Sequence, residues 1–242
     1  MAFATATRPA NPAPEDSAES ILYPSKAELL SALPAELSKL SPAKSWASLA
    51  MSAGLSLLAV GLGTLLPLSA AATPLWLLYG VITGTIAMGC WVIAHECGHH
   101  AFHPNRRIEG VVGFVLHSIL LVPYYSWAHS HAVHHAHCNH LEQGETHVPP
   151  RATSPMGRTT EQLKQRLNPT VFGIISLFNH LVIGWQLYLF LGATGGEDYD
   201  SPTSHFWNRK RNFNGKRRLF PQSFGKWMLR SNLGLLAMVA LL

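Results

Sequence analysis

The sequence predicts an all-α integral membrane protein, and three observations support this fold class. Only 13% of the 242 residues are charged, and the stretch from Ser45 to Ala94 contains no charged side chain. Residues 46–66 and 75–94 are each about 20 residues long, which is the length a helix needs to cross a hydrocarbon core of about 30 Å. Twelve of the fourteen histidines then follow between His95 and His147. We therefore expect a transmembrane helical hairpin followed by a helical, histidine-rich region at the cytosolic face.

The N-terminal residues 1–22 are predicted to form a disordered tail. They are rich in Ala, Pro and Thr and contain no apolar run of signal-peptide length. A plastid transit peptide is the alternative, but basic residues are scarce here. Ser25 and Glu28 then have the spacing of a capping box, which predicts a short interfacial helix through Leu33, ended by Pro34. We treat residues 23–242 as one domain.

The two apolar segments are joined by a short connection between Pro67 and Pro74, so they form a hairpin that returns the chain to its starting side. A buried hairpin in a soluble protein is the alternative. Between the two histidine patches, the apolar run from Val111 to Pro123 is too short to cross alone, and two crossings would need about 40 apolar residues. Both patches therefore lie at the same membrane face.

Segment 171–193 is long enough to span, but it carries Asn179, His180 and Gln186 in its middle, where polar groups are costly. A basic stretch follows it, and this stretch would lie on the far side if 171–193 crossed. We expect the segment to dip or lie flat. The next apolar helix begins at Ser231 and the sequence stops after 12 residues, so we expect the chain to be incomplete at its C-terminus.

The net charge of +5 is concentrated between residues 209 and 230. No nucleic-acid-binding motif accompanies these residues, so we expect no nucleic-acid partner and assign them to a cytosolic loop facing anionic lipid. The three cysteines are Cys90, Cys97 and Cys138, and their odd number and positions imply no disulfide framework. Cys97 and Cys138 are candidate zinc ligands, although small buried filler is the favoured role.

The histidine spacing predicts a metal site. His95 and His99 lie four residues apart, so they share one face of a helix that continues out of the second span. His100 is rotated off that face, and it either binds a second ion or hydrogen-bonds a neighbour. His131, His134 and His135 follow a helical spacing that presents three imidazoles to one side. Because ligating imidazoles usually donate their second N–H to a carboxylate, we also select the acids Glu96, Glu142 and Glu145.

Residues 95–99 also satisfy the H-E-x-x-H pattern of zinc metallopeptidases, in which the glutamate activates a zinc-bound water. A membrane zinc peptidase is therefore the rival hypothesis from another enzyme class. Such an enzyme needs one metal and one further ligand, and it has no use for a second histidine patch. Two imidazole-rich patches indicate two metals, and a nitrogen-rich shell with open positions suits iron that binds dioxygen.

These motifs resemble the membrane fatty acid desaturases, and within them the microsomal delta-12 (omega-6) oleate acyl-lipid desaturases. Resemblance covers residues 22–242 and is strongest in three segments. They are WVIAHECGHHAF at 91–102, FVLHSILLVPYYSW at 114–127 and HSHAVHHAHCNHLEQGETHVP at 129–149. GWQLYLFLGATGG at 184–196 and PSKAELLSALP at 24–34 are weaker matches.

The resemblance implies that the first histidine box contains His95, His99 and His100, and the second His131, His134 and His135, and that both hold a non-haem di-iron centre. It also implies O2 as oxidant and a separate cytochrome b5 as the donor of two electrons. The implied reaction places a cis double bond in a phospholipid-linked oleoyl chain, giving linoleate. The implied location is the endoplasmic reticulum membrane with the boxes facing the cytosol, and a plastid membrane is the alternative.

The sequence departs from the family in two places. Ala132 and Val133 stand where the plant enzymes commonly carry two arginines, which leaves the ligand spacing intact but removes positive charge. The third histidine box of the family is absent and would lie beyond Leu242, so we expect this fragment to be inactive alone. An omega-3 desaturase or a fatty acid hydroxylase shares the same boxes, and an inactive membrane homologue is the non-catalytic alternative.

Overall fold

The structure, a computed structural model, describes residues 24–138, 140–146, 148–193, 195–208 and 215–242. The tail predicted at 1–22 and the first basic residues of the 209–230 stretch lie outside the described residues. The described residues are helical, without a β-strand, which confirms the all-α fold class. The helices are α1 (Lys26–Ala32), α2 (Pro42–Gly63), α3 (Thr73–His99), α4 (Arg106–Ile119), α5 (Tyr124–Ala136), α6 (Pro155–Arg166), α7 (Pro169–Phe178), α8 (Trp185–Leu191) and α9 (Gly225–Leu241).

Helix α1 begins with the predicted capping box. The backbone N–H of Glu28 donates to the Ser25 hydroxyl at 3.2 Å, and the Ser25 N–H donates to the Glu28 carboxylate at 2.6 Å. Two otherwise unsatisfied N–H groups are thereby paired at the start of a short helix. The helix ends at Ala32, two residues before Pro34, as the sequence predicts.

Helices α2 and α3 form the predicted hairpin. The Tyr79 hydroxyl of α3 donates to the Ala59 carbonyl of α2 at 3.0 Å, and the Tyr79 ring occupies the space that a Cβ on Gly63 would fill. Small residues thus let the two helices approach closely, as they do in membrane helix pairs. The outer faces carry exposed Leu57, Leu58 and other large apolar side chains, as expected of surfaces that contact lipid.

Three helical segments of the described chain are long and apolar enough to cross a membrane: Pro42–Gly63, Ala70–His99 and Pro169–Leu191. The protein is an integral membrane protein. Helix α3 is longer than the predicted span of 75–94, because it continues through the first histidine patch to His99.

Helices α4 and α5 do not form a straight span. Their axes differ by 107° across the break between Ile119 and Tyr124. Leu121 takes a left-handed conformation with φ of 56°, and the Val122 N–H donates to the His117 carbonyl at 2.7 Å. The apolar run predicted from Val111 to Pro123 therefore lies in a sharply bent helix pair that begins earlier, at Arg106. The bend brings the chain back toward the end of α3.

Segment Pro169–Leu191 is one continuous helix of 23 residues, with a π-helical stretch over Asn179–Gly184. Its length is sufficient to cross a membrane, although its central polar residues led us to expect that it does not cross. Arg151, which precedes the polar α6, pairs with Glu197, which follows α8, at 3.3 Å. The flat or dipping arrangement of this segment stays a prediction.

Helix α9 packs across α4 and α5. The Ser231 hydroxyl accepts the N–H of Tyr125 at 3.0 Å, and Gly234 lies against Ser118 and Phe114 of α4. A buried cluster formed by α9 and the segments before it packs against Val133 of α5. Its members are Tyr199, Leu219, Phe220, Phe224 and Met228.

Candidate metal centre

Four histidines from two helices converge on one point. The facing Nε2 atoms are those of His95 and His99 on α3 and of His131 and His135 on α5, and all four lie within 4.8 Å of one another. Nε2 of His131 is 2.8 Å from that of His95, 3.0 Å from that of His99 and 3.1 Å from that of His135. Two histidines of each patch therefore meet at one point, and the location of both patches at one membrane face stays a prediction.

The helical spacing produces this arrangement. Each helix contributes residues four positions apart, which stack on one face. The helices approach closely because Gly98 lies against Trp127 and Ala128, and a Cβ on Gly98 would be only 3.1 Å from the Trp127 ring. Ala94 and Cys97 of α3 are fully buried. Small side chains on the inner face of α3 thus allow the imidazoles to meet.

Two tryptophans support the imidazole rings. Trp127 is buried and stacks on His131 with ring centroids 4.6 Å apart and an interplanar angle of 19°. It also contacts His95 at 5.5 Å, and Trp91 stacks on His95 at 5.6 Å. These contacts restrict the rings of the two inner histidines. His99 and His135 are exposed, so the opposite side of the cluster is accessible.

The donor set fits a transition metal. A ring nitrogen holds either one hydrogen or one lone pair, so Nε2 of His131 cannot be satisfied by hydrogen bonds to three other imidazole nitrogens. A cation between the four nitrogens satisfies all of them. With metal–nitrogen bonds of about 2.0–2.1 Å, ligands at right angles lie about 3 Å apart, which matches the separations of 2.8–3.2 Å between neighbouring nitrogens.

Glu96 contacts the outer nitrogen of a cluster histidine. Its Oε1 atom accepts from Nδ1 of His95 at 3.0 Å, while Nε2 of the same ring faces the cluster. Such a bond fixes the tautomer and orientation of a ligating imidazole. In a zinc peptidase this glutamate has to face the metal-bound water, and here it is bonded on the far side of the ring.

His100 and His134 lie outside the four-nitrogen cluster. His100 ends α3 in a left-handed conformation with φ of 65°, and its Nδ1 atom donates to Glu109 at 3.1 Å. The His134 ring lies 5.9 Å from the His131 ring, measured between centroids. Both residues remain predicted ligands, and the structure places neither with the other four.

Glu109 is a site residue that the sequence analysis missed. It is 1% exposed and also accepts from the backbone N–H groups of Phe102 and His103, each at 3.1 Å, and from the Arg106 guanidinium at 3.1 Å. It thereby holds the turn that follows the first histidine patch. The sequence could have indicated this residue, because Glu109 is the one acidic residue between Glu96 and Glu142.

The other two selected acids do not reach the cluster. Glu142 pairs with Arg151 at 2.5 Å and with His140 at 3.3 Å. Glu145 is buried in the loop that follows, and burial raises the pKa of its carboxyl to about 8. Neither carboxylate is bonded to any of the four clustered histidines.

A buried polar network lies on the opposite side of α5. The Tyr188 hydroxyl is hydrogen-bonded to the Ser130 hydroxyl, which lies 3.0 Å from Nε2 of His205. Nδ1 of His205 donates to the Leu189 carbonyl at 3.2 Å, so in the neutral ring Nε2 accepts from Ser130. Burial lowers the pKa of His205 to about 4, so the ring is neutral at pH 7. The network fastens α5 to α8, and no local sequence pattern predicts it.

The remaining histidines and the cysteines take other positions. Most of these imidazoles contact backbone groups or aromatic rings: His103, His117, His129, His137, His140 and His180. His147 lies outside the described residues. Cys90, Cys97 and Cys138 are free, as predicted, and none belongs to the four-residue cluster.

A comparison with protein families identifies the chain. Residues 71–242 match the family model of the fatty acid desaturases. This chain belongs to the fatty acid desaturase family. That family is one of metalloenzymes, and membership decides against the zinc peptidase hypothesis.

Several curated relatives of this desaturase family member are delta-12 enzymes. It is 38% identical over 144 residues to a delta(12)-fatty-acid desaturase of Arabidopsis thaliana, covering 60% of this chain and 36% of that one. It is 43% identical over 131 residues to a delta(12)-oleate desaturase of Trichosanthes kirilowii, covering 54% and 34%. An oleate hydroxylase of Claviceps purpurea is 34% identical over 180 residues, covering 69% and 38%.

The chain thus spans little more than a third of the length of the curated relatives it matches. No solved structure matches it. The two histidine patches and the hairpin all lie in or beside the matched region, so the family assignment and the four-histidine geometry concern the same part of the molecule.

Proposed function

We propose that this chain is part of an acyl-lipid delta-12 desaturase that converts a phospholipid-linked oleoyl chain to linoleoyl. One observation carries the proposal: four imidazole nitrogens from two helices meet within 4.8 Å, in a chain of the fatty acid desaturase family. The named activities of the curated delta-12 relatives support the regiochemistry.

We assign non-haem iron to the cluster, as part of a di-iron centre. The all-nitrogen donor set and its accessible side fit iron, whose open positions bind dioxygen. His95, His99, His131 and His135 would hold one ion, and we assign His100 and His134, the other two predicted ligands, to the second. When bound, the iron supplies the activation of O2 that removal of two hydrogens from an unactivated methylene pair requires.

The residues around the cluster have identifiable tasks in such a reaction. Glu96 accepts the outer N–H of His95 and holds that ring in one tautomer. The Trp127 and Trp91 rings cover the inner histidines with apolar surface, which keeps water away from that side of the centre. An acyl chain lacks polar groups, so its position relative to the cluster depends on shape and burial.

The proposed partners follow from the same reaction. The chain is an integral membrane protein with its cluster where α3 ends, which suits a lipid substrate. We propose O2 as oxidant and a separate cytochrome b5 as the electron donor. We also propose the endoplasmic reticulum membrane, with the cluster facing the cytosol. The basic residues Lys216, Arg217 and Arg218 precede Leu219, whose carbonyl lies 2.9 Å from Nε2 of His129 on α5, and basic residues favour the cytosolic side.

A fatty acid hydroxylase of the same family is the second candidate function. The 34% identity to an oleate hydroxylase favours keeping it, although it is lower than the identity to the delta-12 desaturases. Both reactions start by removing a hydrogen from the same kind of carbon, so the histidine cluster does not separate them. The product does.

The test is expression of the complete reading frame that contains this chain, in a yeast host that makes oleate and no diene. Gas chromatography with mass spectrometry then identifies new fatty acids and their double-bond positions. We expect a cis diene at the delta-12 position, absent in His131→Ala at equal protein level. His137→Ala is the matched control, because His137 also lies at the end of the second patch but donates to the Val133 carbonyl at 3.0 Å.

Three outcomes would change the proposal. A hydroxylated oleate in place of the diene would assign the hydroxylase. A diene yield unaffected by His131→Ala would remove the cluster from catalysis. No new fatty acid from a full-length, membrane-inserted protein supplied with a cytochrome b5 would favour the inactive homologue.

A further inference from the structure

A cavity of about 320 Å³ lies between α4, the start of α5 and α9. Three arginines line it: Arg106 and Arg107 at the start of α4 and Arg230 on α9. The described residues that line it include no aspartate or glutamate. A site with three guanidinium groups and no carboxylate on its wall is positively charged and suits an anion.

The three arginines are engaged to different degrees. Arg106 already pairs with Glu109 at 3.1 Å and also donates to the His100 carbonyl. Among the described residues, neither Arg107 nor Arg230 forms an ion pair. The guanidinium carbon of Arg230 lies 4.5 Å from the centre of the Trp227 ring, a cation–π contact that holds this side chain at the cavity wall. Planar guanidinium groups of this kind bind phosphate oxygens in pairs.

Apart from His100, which pairs with Glu109 at 3.1 Å, the rest of the wall is apolar or aromatic. Tyr125 and Trp227 contact each other at 5.0 Å and form one side, and exposed Val111 lies on the other. Such a wall suits the glycerol and first methylenes of a lipid rather than a small hydrated anion. Arg106 begins α4 only seven residues after His99, where the apolar α3 ends, so the arginines lie near the depth of lipid phosphates.

The geometry points to a binding site for the phosphate diester of a membrane glycerophospholipid, held by Arg107 and Arg230 with Arg106 behind them. His100, which we assign to the second ion, lines the cavity, so this site adjoins the proposed di-iron centre, although none of the four clustered histidines lines it. Gly98 and Ala128 do line it, so only the backbones of α3 and α5 separate the two sites. The proposal concerns binding and stands whether or not the desaturase activity does.

Binding is measured by isothermal titration calorimetry on the full chain in a phosphate-free maltoside detergent. The probe is dihexanoyl phosphatidylglycerol below its critical micelle concentration. Dihexanoylglycerol has the same acyl chains without phosphate, and inorganic phosphate lacks the chains. We expect the phospholipid to bind at least tenfold more tightly than either of these two probes, since both the guanidinium groups and the apolar wall contribute.

Two kinds of variant locate the site. Arg107→Gln and Arg230→Gln should each weaken phospholipid binding by about five- to tenfold, and Arg107→Lys should weaken it less. Gly110→Leu fills the cavity without removing charge, because a Cβ at Gly110 meets no atom within 4 Å, and it should also weaken binding. Arg166→Gln on the exposed face of α6 is the matched charge control and should leave affinity unchanged.

The comparison among probes and variants decides the proposal. Equal affinity for dihexanoylglycerol would show that no phosphate is recognised. Equal affinity for inorganic phosphate would replace the lipid by a free anion and overturn the lipid assignment. Arg107→Gln, Arg230→Gln and Gly110→Leu binding as tightly as Arg166→Gln, with unchanged circular dichroism, would place any bound lipid elsewhere.

Discussion

Nε2 of His131 lies 2.8 Å from Nε2 of His95, although 36 positions separate the two residues along the chain. Two imidazoles at this distance share at most one proton, and two protonated rings would repel each other. The contact joins the C-terminal end of α3 to α5. The contact therefore joins the two histidine patches in one site.

Two adjacent histidines on α5 should differ in their effect on metal binding. His135 lies in the four-nitrogen cluster and His134 does not, so His135→Ala should remove the ion held there while His134→Ala leaves it bound. We expect the apparent affinity for Co²⁺, used as a spectroscopic substitute for iron, to fall at least tenfold in His135→Ala only. Visible absorption of the bound Co²⁺ and metal content after dialysis provide the measurement.

Equal losses in the two variants would contradict this prediction and would favour a site in which all six box histidines act on one ion. A difference in the number of ions per chain is also informative. If the unmodified chain binds two ions and His134→Ala binds one, His134 holds the second ion, in agreement with the proposed assignment.

Trp127 should control metal affinity through the His131 ring. Trp127→Leu removes a stacking contact of 4.6 Å and leaves His131 free to adopt other rotamers, so metal affinity should fall by about 10- to 100-fold. The substitution also removes buried aromatic volume and should lower the free energy of unfolding by about 2–3 kcal/mol. Metal titration and thermal unfolding of the purified chain measure the two effects separately.

Trp76→Leu serves as the control for this experiment. Trp76 lies near the far end of the α2–α3 hairpin, where its indole N–H donates to the Pro67 carbonyl at 3.0 Å. Its replacement should leave metal affinity unchanged. The prediction would be wrong if both tryptophan variants weakened metal binding to the same extent.

Glu109 should stabilise the turn after the first histidine patch. Glu109→Ala leaves the N–H groups of Phe102 and His103 without their acceptor, and each unsatisfied group costs about 1–3 kcal/mol. We expect the midpoint of thermal unfolding to fall by about 5–10 °C. Glu109→Gln keeps one carbonyl acceptor and should cause a smaller decrease, so the order of the three midpoints tests the assignment. A midpoint in Glu109→Ala equal to that of the unmodified chain would contradict it.

Local sequence patterns predicted those parts of the site that depend on helical spacing. The pairs His95/His99 and His131/His135 could be predicted because residues four apart share a helix face. The capping box at Ser25 could be predicted because it also depends only on local spacing. The positions of His100 and Glu109 could not be predicted in this way. His100 adopts a left-handed backbone conformation and Glu109 accepts from backbone N–H groups, and neither feature follows from a pattern of side chains.

Contacts between segments that are distant along the chain could not be predicted from the sequence either. His205 meets Ser130 across 75 positions, and the pairing depends on how two loops fold over α5. The Gly196 N–H donates to the Gly144 carbonyl at 2.7 Å in those loops, a backbone contact independent of side-chain type. Spacing within a helix is fixed by geometry, whereas the meeting of two loops is fixed by the whole packing arrangement.

The buried carboxyl of Glu145 should make stability depend on pH. Burial raises its pKa from an ordinary value of 4.5 to about 8, so the folded chain keeps this proton over a pH range in which the unfolded chain loses it. The carboxyl's contribution to stability is therefore fully present below pH 4.5 and is lost as pH rises to about 8. The loss amounts to a few kcal/mol at most, on the order set by the shift.

Glu145→Gln isolates this contribution, because the amide stays neutral at every pH and occupies nearly the same volume. The difference in unfolding midpoint between Glu145→Gln and the unmodified chain should be small at pH 5 and should grow in favour of the variant at pH 6.5 and pH 8. Differential scanning fluorimetry in detergent at these three pH values is sufficient. A difference that stays constant from pH 5 to pH 8 would mean that the carboxyl titrates alike in the folded and unfolded chains, and that water reaches it in the loop between α5 and α6.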